Sequence, residues 1–240
     1  MKLQHKLGIA VAGAAVVGTL AGCPTTGVPN VTPGSQIVSG RVTFGGGNPG
    51  QALTIGLKKF DGSSYQKLTQ TTKTDNSGNY AFTDPLLSSG KYQAFYDDGG
   101  QEVTDATVNT VGAYVSEAKD SPATINFDVQ WAFSPSVTPN STFTVGTSTF
   151  GFAANTNAPG AEYQVAIADA NKSVKWSSAW ASTTSFNWNG KEGSETNTPT
   201  GADRPTGKHF YQIKFRKAGT TFGGAGFYGQ TKWVPFTLAR

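Results

Sequence analysis

The chain's 240 residues predict an all-β protein: two tandem Greek-key β-sandwich domains. Three observations carry that expectation. Short runs that alternate apolar with polar residues recur between clusters of Gly, Asn, Asp and Pro, the period and punctuation of strands and turns. Only 14% of residues are charged while 12% are aromatic, and Gly, Thr, Ser and Asn abound, a balance that favours strands over helices. Once an N-terminal leader is set aside, about 218 residues remain, room for two modules of roughly 100 each.

The leader comes first. Lys2 and Lys6 form a positive start, and Leu7 to Leu20 is uncharged and rich in Ala, Val and Gly, the pattern of a signal peptide. As a helix this stretch would reach roughly 21 Å, short of the roughly 30 Å hydrocarbon core of a bilayer. It ends in Leu20-Ala21-Gly22-Cys23, which contains the sole cysteine and resembles the lipobox of bacterial lipoproteins. That resemblance implies cleavage after residue 22, lipidation of Cys23 and attachment to the membrane through an N-terminal lipid. A diacylated cysteine supplies the two chains that stable anchoring needs. Pro24 in place of Asp resembles the class sorted to an outer membrane, so a cell-envelope or cell-surface location is expected. Residues 23–35 hold three prolines and little to bury, which predicts an extended tether.

The first domain is expected over 36–131, with strands at 37–44, 52–60, 65–73, 79–83, 91–97 and 123–130. In the turn Asp75-Asn76-Ser77-Gly78, Asp75 and Asn76 can bond the backbone and Gly78 can take a positive φ, which sends Tyr80 and Phe82 to one side of the next strand. Together with Val38-Ser39-Gly40-Arg41-Val42, Leu53 to Leu57 and Gly90-Lys91-Tyr92, this segment resembles transthyretin-like modules, also called carboxypeptidase regulatory-like domains. The stretch 102–121 fits that pattern poorly, which predicts an inserted loop or an extra edge strand.

The second domain is expected over 132–240, with strands at 142–153, 162–168, 173–176, 184–189, 209–216 and 232–238. Phe186-Asn187-Trp188-Asn189-Gly190, followed by Gly207-Lys208-His209-Phe210-Tyr211, resembles the immunoglobulin-like modules of the flagellar-hook-capping protein. That resemblance implies Trp188 as a core plug, Asn189-Gly190 as a tight turn and a free backbone at Gly207.

Chemistry is scarce. With Cys23 acylated no thiol remains for a disulfide or a metal. The mature chain has one histidine, His209, expected on a strand surface, and no serine sits in a nucleophile elbow. No zinc spacing and no cofactor motif is present, so no enzyme activity is expected. Asp97-Asp98, with Glu102 and Asp105 close by, offers oxygen ligands of the kind calcium takes but lacks the spacing of a calcium loop; a solvated turn is the simpler expectation. The runs Gly45-Gly46-Gly47 and Gly223-Gly224-Ala225-Gly226 precede no helix and so cradle no phosphate; they are expected as flexible loops. Trp176, Trp180, Tyr228 and Trp233 fall among polar residues and are the candidate ligand-binding rings, suited to a polysaccharide.

Residues 23–130 carry seven Lys/Arg against ten Asp/Glu, and 131–240 carry ten against five, so the halves have opposite sign. An acidic partner for the second half is one reading and solvated strand faces the simpler one. The expected function is therefore a lipid-anchored envelope component acting as a structural, adhesive or protein-binding element. The alternative is carbohydrate binding through the second domain's rings. Nucleic acid is not an expected partner of an exported, tethered chain.

Overall fold

The computed structural model describes residues 38–45, 47–83, 87–98, 102, 111–193 and 200–240. The leader, the tether with Cys23, and Asp105 lie outside the described residues. Within them every regular element of secondary structure is a strand. The first half supplies β1 (Val38–Thr43), β2 (Thr54–Phe60), β3 (Tyr65–Lys73), β4 (Asn79–Phe82), β5 (Lys91–Asp97), β6 (Val111–Val115), β7 (Lys119–Asp120), β8 (Ala123–Thr124) and β9 (Phe127–Asp128). The second supplies β10 (Thr142–Thr144), β11 (Phe150–Gly151), β12 (Ala161–Ala168), β13 (Val174–Ser177), β14 (Ser185–Phe186), β15 (Gly207–Lys217), β16 (Tyr228–Thr231) and β17 (Val234–Ala239).

In the first half β1 lies between β4, antiparallel to it, and β8 and β9, parallel to it. This small sheet packs on β6-β5-β2-β3 through Val38, Val42, Ile55, Leu57, Tyr92 and Phe127, all buried. Its turn chemistry follows from residue type. Asp75 Oδ1 accepts the amides of Ser77 and Asn79, both at 2.8 Å, and Gly78 has φ +80°. Tyr80 and Phe82 are then buried together. The single strand expected over 123–130 is two short ones, because at Asn126 the side-chain Oδ1, and not a backbone carbonyl, accepts the Arg41 amide at 2.8 Å.

In the second half β15 carries β12 along one side and β17 then β16 along the other. The pair β11–β14 covers the inner face, where Phe143, Phe150, Trp188 and Phe236 pack ring on ring. Trp188 is buried, its indole N–H donating to the Lys191 carbonyl at 2.7 Å, and Gly190 has φ +76°. Of the rings after Gly207, Tyr211 turns inward and donates its hydroxyl to the Val137 carbonyl at 2.6 Å. His209 departs from expectation. It lies in central β15 and is buried against Trp188 and Phe236, with Nδ1 3.0 Å from the Gly207 carbonyl. Alternation puts it on the inward face of β15 with Tyr211, Ile213 and Phe215.

The halves meet in one sheet. β6 pairs antiparallel with β5 on one side and with β16 on the other, so an 11-stranded sheet runs β10-β17-β15-β16-β6-β5-β2-β3 with β12, β13 and β7 alongside. The expected insertion at 102–121 thus holds the joining strand and not an edge. A Cβ at Gly112 would lie 2.9 Å from the Thr231 carbonyl oxygen, and one at Gly229 2.5 Å from that of Ala113; glycine here permits the close approach of two backbones. Beneath the joint, Tyr114 and Trp131 both pack on Phe215.

The charge asymmetry has its explanation at this joint. Asp98 pairs with Lys232 at 2.9 Å, Glu102 with Lys172 at 3.2 Å, and Glu117 with Lys217. In each pair the acid comes from the first half and the lysine from the second. Asp98 and Glu102 are thereby engaged with lysines, and among the described residues no three His, Cys, Asp or Glu side chains gather as a metal site.

Candidate functional site

The large sheet has an inner face, given to the core that both halves share, and an outer face. Alternation along each strand sorts the residues. Tyr211, Ile213 and Phe215 of β15 face inward with Tyr163, Val165 and Ile167 of β12. Phe95 of β5, Val115 of β6 and Tyr228 of β16 form a second, smaller buried cluster, and Phe222 packs over it. Gly56 makes room for this arrangement, since a Cβ there would meet the Phe95 ring at 2.3 Å.

Phe222 belongs to the loop between β15 and β16, which contains the glycine run. The loop is not free. The buried Gln93 of β5 donates through Nε2 to the carbonyls of Gly224 at 2.9 Å and Ser116 at 3.0 Å, and the Ala118 amide donates to the Ala225 carbonyl at 2.9 Å. Thus residues of the first half fold a loop of the second back over the joint. Phe222 then stacks on Trp180, with centroids 5.6 Å apart, and packs at a tilt against Tyr228 at 4.8 Å.

Facing the loop is the turn between β2 and β3, where Phe60 and Tyr65 pack at 5.1 Å. Asp61 holds this turn: its Oδ1 accepts the amides of Ser63 and Ser64, both at 2.9 Å. Those backbone bonds favour the ionised carboxylate and hold its pKa at about 2. Between turn and loop lies an open cleft of about 560 Å³, lined by Phe60, Tyr65, Phe222, Lys91, Ser63 and Ser64 with the loop backbone. Burial, reinforced by the charge of Asp120, pushes the Tyr65 hydroxyl above its ordinary pKa, so it remains a neutral hydrogen-bonding group at physiological pH.

Cations crowd this face. Lys58 Nζ lies 5.2 Å from the Tyr228 centroid, Lys67 4.9 Å from Phe95, Lys214 5.7 Å from Phe222, and the Arg216 guanidinium 4.3 Å from Trp180. Burial pushes the Lys214 ammonium below its usual pKa. Arg216 also holds Glu162 at 2.9 Å.

The four rings marked by the sequence separate accordingly. Trp176 is fully buried and packs on Trp188, so it offers no face to a ligand. Tyr228 is buried beneath Phe222 and supports the cleft from below. Trp180 is half-buried on the outer face and stacks on Phe222. Trp233 is half-buried and bridges to Glu102; it does not line the cleft. Phe60, Tyr65, Lys91 and Phe222, which do, carried no ligand signal in the sequence beyond the glycine run beside Phe222.

No family model and no curated protein matches the chain. Among solved structures it is similar to a DUF3823 family protein from Bacteroides uniformis ATCC 8492, at 14% identity and a TM-score of 0.28, over 85% of this chain and 100% of that one. A candidate carbohydrate-binding protein from the same organism aligns at 12% identity and a TM-score of 0.26, over 84% of this chain and 98% of that one. A variant of the shaft pilin SpaA from Lactobacillus rhamnosus GG aligns at 11% and 0.27, over 85% and 98%. At these scores the likenesses assign the chain no family, ligand or activity.

Proposed function

We propose that the chain is a non-catalytic binding component of the cell envelope, held at the membrane by a lipid on Cys23, with a carbohydrate chain as its ligand. The observation that supports this most directly is the cleft between the Phe60–Tyr65 turn and the Phe222 loop. A pyranose ring presents an apolar C–H face and a rim of hydroxyls. Phe60, Tyr65 and Phe222 offer ring surface for the first, and Ser63, Ser64 and Thr221 offer small polar groups for the second. An open cleft suits a chain that enters and leaves at both ends.

The test is retention on immobilised envelope polysaccharides. Phe222→Ala is expected to weaken binding by about tenfold, the effect of one well-placed aromatic anchor, while thermal unfolding stays cooperative. Unchanged retention removes the cleft from the proposal. Cys23→Ser is expected to shift the protein from the membrane fraction to the soluble fraction with its folded spectrum intact; fractionation of cells checks this, and a variant that stays membrane-bound rules out the lipid anchor. A second reading, a structural or adhesive element that binds another envelope protein, is favoured by the sheet and core shared by the two halves. Crosslinking in intact cells separates the two, since recovery of a stoichiometric protein partner with no glycan retention favours the second.

A further inference from the structure

Lys58 on β2 and Lys67 on β3 are registered partners, directly opposite each other across an antiparallel pair. Like charges in that position oppose the pairing of their strands. Neither has a carboxylate within ion-pair distance among the described residues, and the same holds for Lys91 and Lys214. The second half's Lys172, Lys217 and Lys232, by contrast, are each neutralised across the joint. Both opposed ammonium groups are instead held over rings, Lys58 over Tyr228 with Nζ donating to its hydroxyl at 2.6 Å, and Lys67 over Phe95. These contacts offset part of the repulsion and keep the charges beside Phe222. Lys91, which lines the cleft itself, faces Asp120 across β5 and β7. Among the described residues the acidic groups near the cleft are thus Asp120 and Asp61, with Glu117 already paired to Lys217 and Glu162 to Arg216, against Lys58, Lys67, Lys91 and Lys214.

Resting on the carbohydrate-cleft reading, we infer that the ligand is an anionic glycan, whose carboxylate or phosphate groups lie against Lys58, Lys67 and Lys91 while its sugar rings stack on Phe222, Phe60 and Tyr65. The arrangement divides the work: rings read the sugar faces, and an unneutralised lysine pair reads the charge. Un-neutralised lysines beside a cleft raise the local concentration of anions and fix register along a charged chain.

The experiment uses the full-length chain in affinity gels holding polygalacturonate, a phosphomannan, dextran or poly-L-glutamate, at low and high salt. At least one acidic glycan is expected to retain the protein more strongly than dextran, with retention falling as salt rises. The double variant Lys58→Gln, Lys67→Gln is expected to lose that preference, by about tenfold. Because it removes a like-charge opposition, it is also expected to unfold no earlier than the parent chain, which separates lost binding from lost fold. Equal retention by dextran, or an unchanged preference in the double variant, overturns the inference and leaves the carbohydrate cleft standing. Retention by poly-L-glutamate alone overturns it in favour of an acidic protein partner. No retention by any glycan, with Phe222→Ala indistinguishable from the parent, overturns the cleft reading as well.

Discussion

Trp131→Ala will destabilise the protein by about 3–5 kcal/mol, the range for removing a buried aromatic from a packed core, and both halves will feel the loss together. The indole is 2% exposed. It lies 5.4 Å from Phe215, 5.6 Å from Phe133, 5.7 Å from Tyr163 and 5.8 Å from Phe152, and its N–H donates to the Ala153 carbonyl at 3.0 Å. Truncation leaves a void the size of an indole ringed by aromatics too large to collapse into it, and it leaves the Ala153 carbonyl without its donor. Since Phe215 also packs on Tyr114 of β6, the void opens at the joint itself. Chemical denaturation followed by tryptophan fluorescence and by far-UV circular dichroism checks the prediction. A shift below about 1 kcal/mol, or a loss confined to one half while the other keeps its parental midpoint, would show that the joint is not cooperative.

Gly40→Ala is the second large effect, expected to cost about 3 kcal/mol or more by overpacking. A Cβ on Gly40 would sit 1.9 Å from the Ile125 carbonyl oxygen and 3.0 Å from the Tyr80 hydroxyl. The same oxygen accepts the Tyr80 hydroxyl at 2.6 Å. No side chain can yield, because the clash is with backbone and with a buried hydrogen bond. The substitution must push β1 away from β8 or break the Tyr80 bond. Hydrogen exchange checks which occurs: faster exchange at the Ile125 amide, which bonds the Ser39 carbonyl at 2.8 Å, is expected. Parental exchange and stability would mean that β1 shifts freely and the glycine is dispensable.

Where local chemistry alone decides structure, the sequence was enough. The Asp75–Gly78 turn, the strands around it, and Trp188 with its Asn-Gly turn all follow from short-range hydrogen bonding and positive φ, and each has the form expected. The joining strands β6 and β16 were not legible for the opposite reason. Gly112 and Gly229, which let them approach, are the residues that weaken a strand pattern. The burial of Trp176 was not legible because alternation is ambiguous there. β13 reads Val174-Lys175-Trp176-Ser177, and period two cannot say that Val174 faces solvent, 47% exposed, while Trp176 is fully buried. The cleft was out of reach in a stricter sense. Phe222 lies in a loop, where no periodicity operates, and the bond that fixes the loop joins Gln93 to Gly224, residues 131 positions apart.

The loop's anchorage has a consequence for how the protein matures. One wall of the cleft is the Phe60–Tyr65 turn and the other is the Phe222 loop, which Gln93 holds in place from the far side of the seam. Neither half alone can therefore present both walls, and a chain whose halves fold without joining lacks the cleft. Occupancy then works backwards on folding. A ligand at a hundred times its Kd adds about 2.7 kcal/mol to whichever state can hold it, and here that state is the joined one. A glycan lying in the cleft would act as an external stitch across the seam, and its binding would favour the correctly assembled form.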